Sequence, residues 1–262
     1  MTEHLTPEQI ASFEHDGYLI VPSAIDRDII ERLLEIAHSD PELEADSKYN
    51  QNYDDEGIDT RLVYRGGFSE DAYSAVGKSE WLVQPAANLW NDSVCHFYHL
   101  NTQKNPNTGG WQYHQDYGYH YREFLYPDFL SVMVALDPAT KENGCLKVLK
   151  GSNHLGRLEH RQSGSQLIAD EARVAFAVDA FEEVHCELAP GDALFFHGNI
   201  LHASNANLSD TSRWAMIYAY VAAGNTCVLE EPPADLSDPI EPLSAGEVRH
   251  TVEAHAASMT AT

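Results

Sequence analysis

The sequence predicts a mainly β domain flanked by α-helices, and three observations carry that reading. Short runs rich in Val, Ile, Tyr, Phe and Trp recur from about residue 94 to residue 221, each bounded by Gly, Pro or Asn. Two turn signals, Glu142-Asn143-Gly144 and Pro190-Gly191-Asp192, stand between such runs. Helical spacing of apolar residues marks three segments of the first ninety positions. Many short strands broken by turn residues suggest a sandwich or barrel.

Taken in order, Thr6-Pro7-Glu8-Gln9 opens a helix with a capping residue and a proline in its first turn, and Asp16-Gly17 stops it. Tyr18-Leu19-Ile20-Val21 reads as a short strand ended by Pro22. Asp26 caps a second helix through about His38, with Ile29, Ile30, Leu33, Leu34 and Ile36 at helical spacing. Residues 39–67 are polar, acidic and aperiodic, as expected of a long loop that is either mobile or functional, such as a lid. Glu80 to Trp90 is helical. Strands are expected at Val94–Asn101, Gly110–Asp116, Phe129–Leu136, Cys145–Leu149, Val184–Leu188, Ala193–His197 and Trp214–Val221, with an insertion containing some helix at Ser163–Glu182. Residues 1–230 read as one domain with N-terminal helices, and residues 231–262 as a peripheral or partly disordered tail.

The chain of 262 residues is long enough for a sizeable core. Its formal charge of −25, from 16 basic and 41 acidic residues, argues against nucleic acid or an anionic membrane as partner. Cys95, Cys145, Cys186 and Cys227 are far apart and form no C-x-x-C pair, as expected of reduced, mostly buried thiols. No run has the length of apolar residues that a membrane span requires, and the N-terminus lacks a signal-peptide pattern. A cytoplasmic location is expected.

The chemistry concentrates in Trp111-Gln112-Tyr113-His114-Gln115-Asp116-Tyr117-Gly118-Tyr119-His120-Tyr121, just after Gly109-Gly110. On a strand, residues two apart share a face, so His114 and Asp116 present an imidazole and a carboxylate side by side. That is two-thirds of a 2-His-1-carboxylate face for non-haem Fe(II). His202 is the foremost candidate for the third ligand, because it follows the Pro190-Gly191-Asp192 turn and an apolar strand. His197, five residues earlier, remains an alternative by spacing. Arg213 follows His202 by eleven residues and heads an apolar strand, where a buried guanidinium must find an anion. The other histidines in polar or terminal segments, among them His160 and His255, read as solvated.

The ordered set His114-x-Asp116, Asn143-Gly144-Cys145-Leu146, Gly151-Ser152-Asn153-His154, Gly191-Asp192-Ala193-Leu194-Phe195-Phe196-His197, His202-Ala203-Ser204 and Arg213 resembles the phytanoyl-CoA dioxygenase family over roughly Asp16 to Val221. That resemblance implies a double-stranded β-helix (jelly-roll) core and an Fe(II)/2-oxoglutarate-dependent oxygenase, in a family that includes the ectoine hydroxylases. It makes His114, Asp116 and His202 the iron ligands and pairs Arg213, assisted by Ser204, with the distal carboxylate of 2-oxoglutarate. It places Asn101 and Ser131 at further cosubstrate contacts. A tryptophan of the family's phytanoyl-CoA members is absent, and Met133 stands at or near its place. The implied reaction consumes O2 and 2-oxoglutarate, releases succinate and CO2 and hydroxylates a substrate C–H bond.

Tyr117, Tyr119, His120 and Tyr121 follow the ligand strand and are expected to line the substrate mouth, where aromatic rings suit a cationic or zwitterionic group. With the acidic charge balance, this favours a small polar metabolite of amino-acid, betaine-like or aminophosphonate type. Two alternatives stand beside it: an acyl-CoA 2-hydroxylase of the same family, and a non-enzymatic cupin-type binder. Arg213 speaks against the binder, which has no need of it.

Overall fold

Alternation along three strands sets the architecture. In Phe129–Ala135, Ala193–His197 and Arg213–Ala222, one set of residues (Leu130, Val132, Val134, Phe195, Met216, Tyr218) joins a core shared with helices. The interleaved set (Met133, Ala135, Leu194, Phe196, Ala215) joins a second core with Leu146 and Val148 of another sheet. Each strand is apolar on both faces because it is covered on both faces.

The computed structural model describes residues 5–46, 48–50, 60–164 and 166–260. In chain order they form α1 (Pro7–Asp16), β1 (Tyr18–Val21), α2 (Arg27–Ser39), α3 (Pro41–Asp46), β2 (Lys48–Asn50), β3 (Thr60–Arg65), α4 (Ala72–Gly77), α5 (Glu80–Trp90), β4 (Val94–Lys104), β5 (Trp111–His114), α6 (Asp116–His120), β6 (Phe129–Ala135) and β7 (Leu146–Leu149). Then follow β8 (His160–Ser163), β9 (Gln166–Ala169), α7 (Glu171–Ala180), β10 (Glu183–His185), β11 (Ala193–His197), β12 (His202–Ser204), β13 (Arg213–Ala222) and α8 (Ala245–Thr260). The major sheet runs β1-β11-β6-β13-β4-β3-β2 and the minor sheet β10-β7-β12-β5, and every ladder in them is antiparallel. The two sheets enclose the inner core as a jelly roll, and the helices cover the outer face of the major sheet.

The first helix begins as its sequence demands. Thr6 and Gln9 form a reciprocal capping box, and Gly17, at φ 80°, closes the C-terminus in the left-handed region. Two expectations are corrected. Residues 39–67 are not one loop, because α3, β2 and β3 lie within them and β3 pairs along β4. Residues 51–59 of that expected loop fall outside the described residues. Residues 231–262 are not simply a peripheral tail. Val248, Val252 and Ala256 of α8 enter the helical core, and Arg249 pairs with Asp26 and Asp28. The interval of four residues is the helical signal that the alanine- and threonine-rich composition concealed. The four cysteines are free thiols, three of them buried. Among the described residues no helix is long and apolar enough to cross a membrane.

Candidate metal and cosubstrate site

β5 and β12 are neighbours in the minor sheet, and their register sets His114 directly opposite His202. The two imidazoles lie 4.1 Å apart between ring centres. Asp116 Oδ1 stands 3.7 Å from His114 Nε2 and 3.4 Å from His202 Nε2. One ligand atom from each of the three residues lies within 4.8 Å of the others. His114 Nδ1 donates to Gln112 O at 2.7 Å and His202 Nδ1 to Ile200 O at 3.1 Å, which leaves both Nε2 lone pairs facing Asp116.

Protonation suits the same purpose. Burial, then the adjacent His202, pushes His114 down to about 3, so its ring is neutral at pH 7. Burial alone would raise the Asp116 carboxyl, but His202, His114 and the Ser131 hydroxyl outweigh it and hold it well below the ordinary carboxylate range. Two imidazoles and one ionised carboxylate, with no thiolate, fit Fe(II) with positions left open.

Asp116 reaches this position by a turn. The strand ends at His114, and Asp116 begins the short helix α6. Gln115 makes the bend rigid: its Nε2 donates to Gly156 O and Asn199 O, and its Oε1 accepts from the Leu158 N–H. Its own N–H donates to His160 Nε2. A Cβ at Gly118 would lie 2.2 Å from the His160 ring, so only glycine fits there. Ser131 Oγ donates to Asp116 Oδ2 at 2.5 Å and fixes the carboxylate.

The triad opens into a cavity of about 300 Å3. Arg213 and Ser204 line it, and so does Met133. Arg213 is buried, and Nη1 donates to Gly144 O at 2.9 Å. Its Nε has no partner among the described residues. Burial pushes its pKa down to about 10, and the group stays cationic at neutral pH. A buried cation with no carboxylate partner among the described residues, facing a cavity beside the triad, is suited to receive an anion.

The phytanoyl-CoA dioxygenase (PhyH) profile matches residues 13–215. The chain belongs to the phytanoyl-CoA dioxygenase family. It is 25% identical to an ectoine dioxygenase of Streptomyces avermitilis, over 86% of this chain and 81% of the relative. A 2-aminoethylphosphonate dioxygenase of an uncultured bacterium (HF130_AEPn_1) is 32% identical over 45% of this chain and 42% of its own length. An L-proline trans-4-hydroxylase of Streptomyces griseoviridis is 28% identical over 56% of this chain and 63% of its own. Apart from the ectoine dioxygenase, these relatives are matched over less than two-thirds of their length. Among solved structures, EctD from S. alaskensis with 2-oxoglutarate and 5-hydroxyectoine superposes with a TM-score of 0.71 at 22% identity, covering 91% of this chain and 86% of that one. The epimerase SnoN, in complex with Fe3+, alpha ketoglutarate and nogalamycin RO, gives 0.72 at 20% identity over 90% and 93%. These likenesses confirm the jelly-roll core.

Within this phytanoyl-CoA dioxygenase frame, the residues named from sequence divide. His114, Asp116, His202, Arg213 and Ser204 come together. His197 does not: it lies on the outer face against Phe13 and Trp90, and its Nδ1 accepts the Asn199 N–H. Ser131 meets Asp116 and does not line the cavity. Asn101 is a correction. The inward face of β4 is Tyr98, Leu100 and Thr102, while Asn101 lies on the other face beside Val63 and Trp214.

The aromatic run is half corrected for a helical reason. Asp116, Tyr119 and His120 share one face of α6, so Tyr119 and His120 line the cavity. Tyr117 and Tyr121 lie on the opposite face. Tyr117 donates its hydroxyl to Phe124 O, and Tyr121 is exposed beneath the Arg157 guanidinium. His160 is half-buried and bonded to the ligand bend, and His255 accepts the Ala72 N–H; neither is solvated as expected. The sequence reading missed Thr60, Leu62 and Tyr64 of β3, which line the cavity with Tyr98. Their alternation with Arg61, Val63 and Arg65 is a period-two signal within the segment read as a loop.

Proposed function

We propose that this protein is an Fe(II)- and 2-oxoglutarate-dependent hydroxylase of a small polar metabolite of amino-acid, betaine-like or aminophosphonate type. The observation that carries the reading is the His114–Asp116–His202 triad sharing one cavity with Arg213, which has no carboxylate partner among the described residues. His114, Asp116 and His202 would hold iron, which when bound supplies oxidative decarboxylation of 2-oxoglutarate to succinate and CO2, with O2 as oxidant and substrate C–H hydroxylation as the outcome. Arg213 anchors the distal carboxylate, and Ser131 holds Asp116 in the orientation its two histidine neighbours require. Tyr119, packed edge-on against His114, and His120, held by Glu123, border the space left for substrate.

Size supports the small substrate. The cavity is at the lower end of the ~300–1,000 Å3 range of ligand sites and has to hold cosubstrate and substrate together. Tyr64, Tyr98 and Tyr119 give it aromatic faces suited to an ammonium or zwitterion. Relatives named for ectoine, L-proline and 2-aminoethylphosphonate agree with this class. A panel of cyclic and betaine-like amino acids, aminophosphonates and branched acyl-CoA esters tests the reading, scored by succinate release coupled to hydroxylated product. Turnover confined to the small metabolites is expected, and turnover of the CoA esters alone would reverse the assignment.

A further inference from the structure

Lys104, at the end of β4, is one of the most deeply buried charged residues in the chain, at 1% exposure. No carboxylate pairs with it among the described residues. Its Nζ donates to Asn205 O at 2.7 Å, Ser204 Oγ at 2.9 Å and Gly144 O at 3.2 Å. Three oxygens match the three N–H groups of an ammonium. Gly144 O also accepts from Arg213, so one carbonyl joins two cations. The backbone is pressed together to make this cluster. A Cβ at Gly144 would lie 2.3 Å from Asn205 O, and one at Gly110 would lie 1.8 Å from Ser204 O.

A serine hydroxyl has two acceptor lone pairs and one proton. Ser204 Oγ accepts from Lys104 Nζ and, at 3.3 Å, from the Trp111 N–H. Both acceptor directions are then in use, and the hydroxyl proton is left to donate. Ser204 lines the cavity together with Arg213. From this geometry we infer that Lys104 is a positioning residue for the cosubstrate: it orients the Ser204 hydroxyl to donate to the carboxylate held by Arg213. The inference rests on the reading of Arg213 as the 2-oxoglutarate anchor. Burial, then the neighbouring Arg213, lowers the Lys104 pKa well below its usual value, a cost that a carboxylate bound in the cavity offsets.

The test is direct binding of 2-oxoglutarate to the zinc-substituted full-length protein at pH 7, by calorimetry, on wild type, Lys104→Met, Ser204→Ala and the double variant. Lys104→Met and Ser204→Ala should each weaken binding about tenfold or more, as expected for hydrogen bonds to a charged group. The double variant should lose less than the product of the two losses, because both act through the Ser204 hydroxyl. If Lys104→Met does not fold, Lys104→Gln, which keeps two N–H donors, takes its place in the cycle. Losses that multiply, or a fall in melting temperature with unchanged affinity, overturn the inference. Binding abolished by Arg213→Gln but untouched at Lys104 also overturns it while leaving the cosubstrate reading intact. No 2-oxoglutarate binding to wild type overturns both.

Discussion

The two walls of the cavity are held in place by different means. On the wall of the triad, each candidate ligand side chain is fixed from behind: His114 by Gln112 O, His202 by Ile200 O and Asp116 by Ser131. Gln115 and His160 lock the bend between the ligands, and Gly110 and Gly118 leave no room for a Cβ. On the opposite wall, β3 and β4 present Thr60, Leu62, Tyr64 and Tyr98 from next to the edge of the major sheet. Tyr64 is 47% exposed and stacks on Tyr98 with ring centres 5.3 Å apart. The difference teaches where change is tolerated. A wall built of satisfied polar groups and missing methyls preserves one chemistry, whereas a wall of ring and methyl contacts can be refaced to accept a new substrate.

Substitutions on each wall should therefore fail differently. The largest effect is expected at Asp116→Ala, with succinate release falling by more than the ~10–100-fold typical of losing a partner behind a metal ligand. Retained turnover would remove Asp116 from the triad. Ser131→Ala should weaken iron binding within that ~10–100-fold range, measured by metal titration, with little change in fold. Gly118→Ala should destabilise by roughly 1–3 kcal/mol, as overpacking does, because the added Cβ meets His160. Denaturant midpoints check this, and an unchanged midpoint would show that His160 yields freely.

On the opposite wall, Tyr64→Ala should leave iron and 2-oxoglutarate affinities within about twofold while raising substrate KM about tenfold, the scale of removing ~1.4 kcal/mol of aromatic contact. An equal loss of cosubstrate affinity would erase the distinction between the walls. Tyr121→Ala, outside the cavity, should change stability by no more than about 0.5–1 kcal/mol, the worth of an exposed cation–π pair, and leave kinetics unchanged.

What could be seen in the sequence divides along the same line. The triad and Arg213 were legible because their types and intervals are rare in combination, and the jelly roll came with the family resemblance they carry. The strand boundaries followed from alternation and turns, as at Ala193–His197. The substrate side was only half legible. Continuing β5 through Asp116 by strand alternation set Asp116 beside His114, where the turn into α6 in fact brings it, and hid the helical face that separates Tyr119 and His120 from Tyr117 and Tyr121. Asn101 matched a spacing, but in an alternating strand a one-residue offset reverses the face. Lys104 gave no local signal, because its three acceptors, Gly144, Ser204 and Asn205, are 40 or more residues away.

The central claim is that His114, Asp116 and His202 bind iron and that 2-oxoglutarate joins it in the same cavity. Anaerobic addition of Fe(II) and 2-oxoglutarate, followed by visible spectroscopy, tests it most directly. A 2-oxoglutarate-dependent charge-transfer band should appear with the wild-type protein and vanish in His202→Ala. Absence of the band under saturating conditions with the wild type, or its persistence in His202→Ala, would contradict the account.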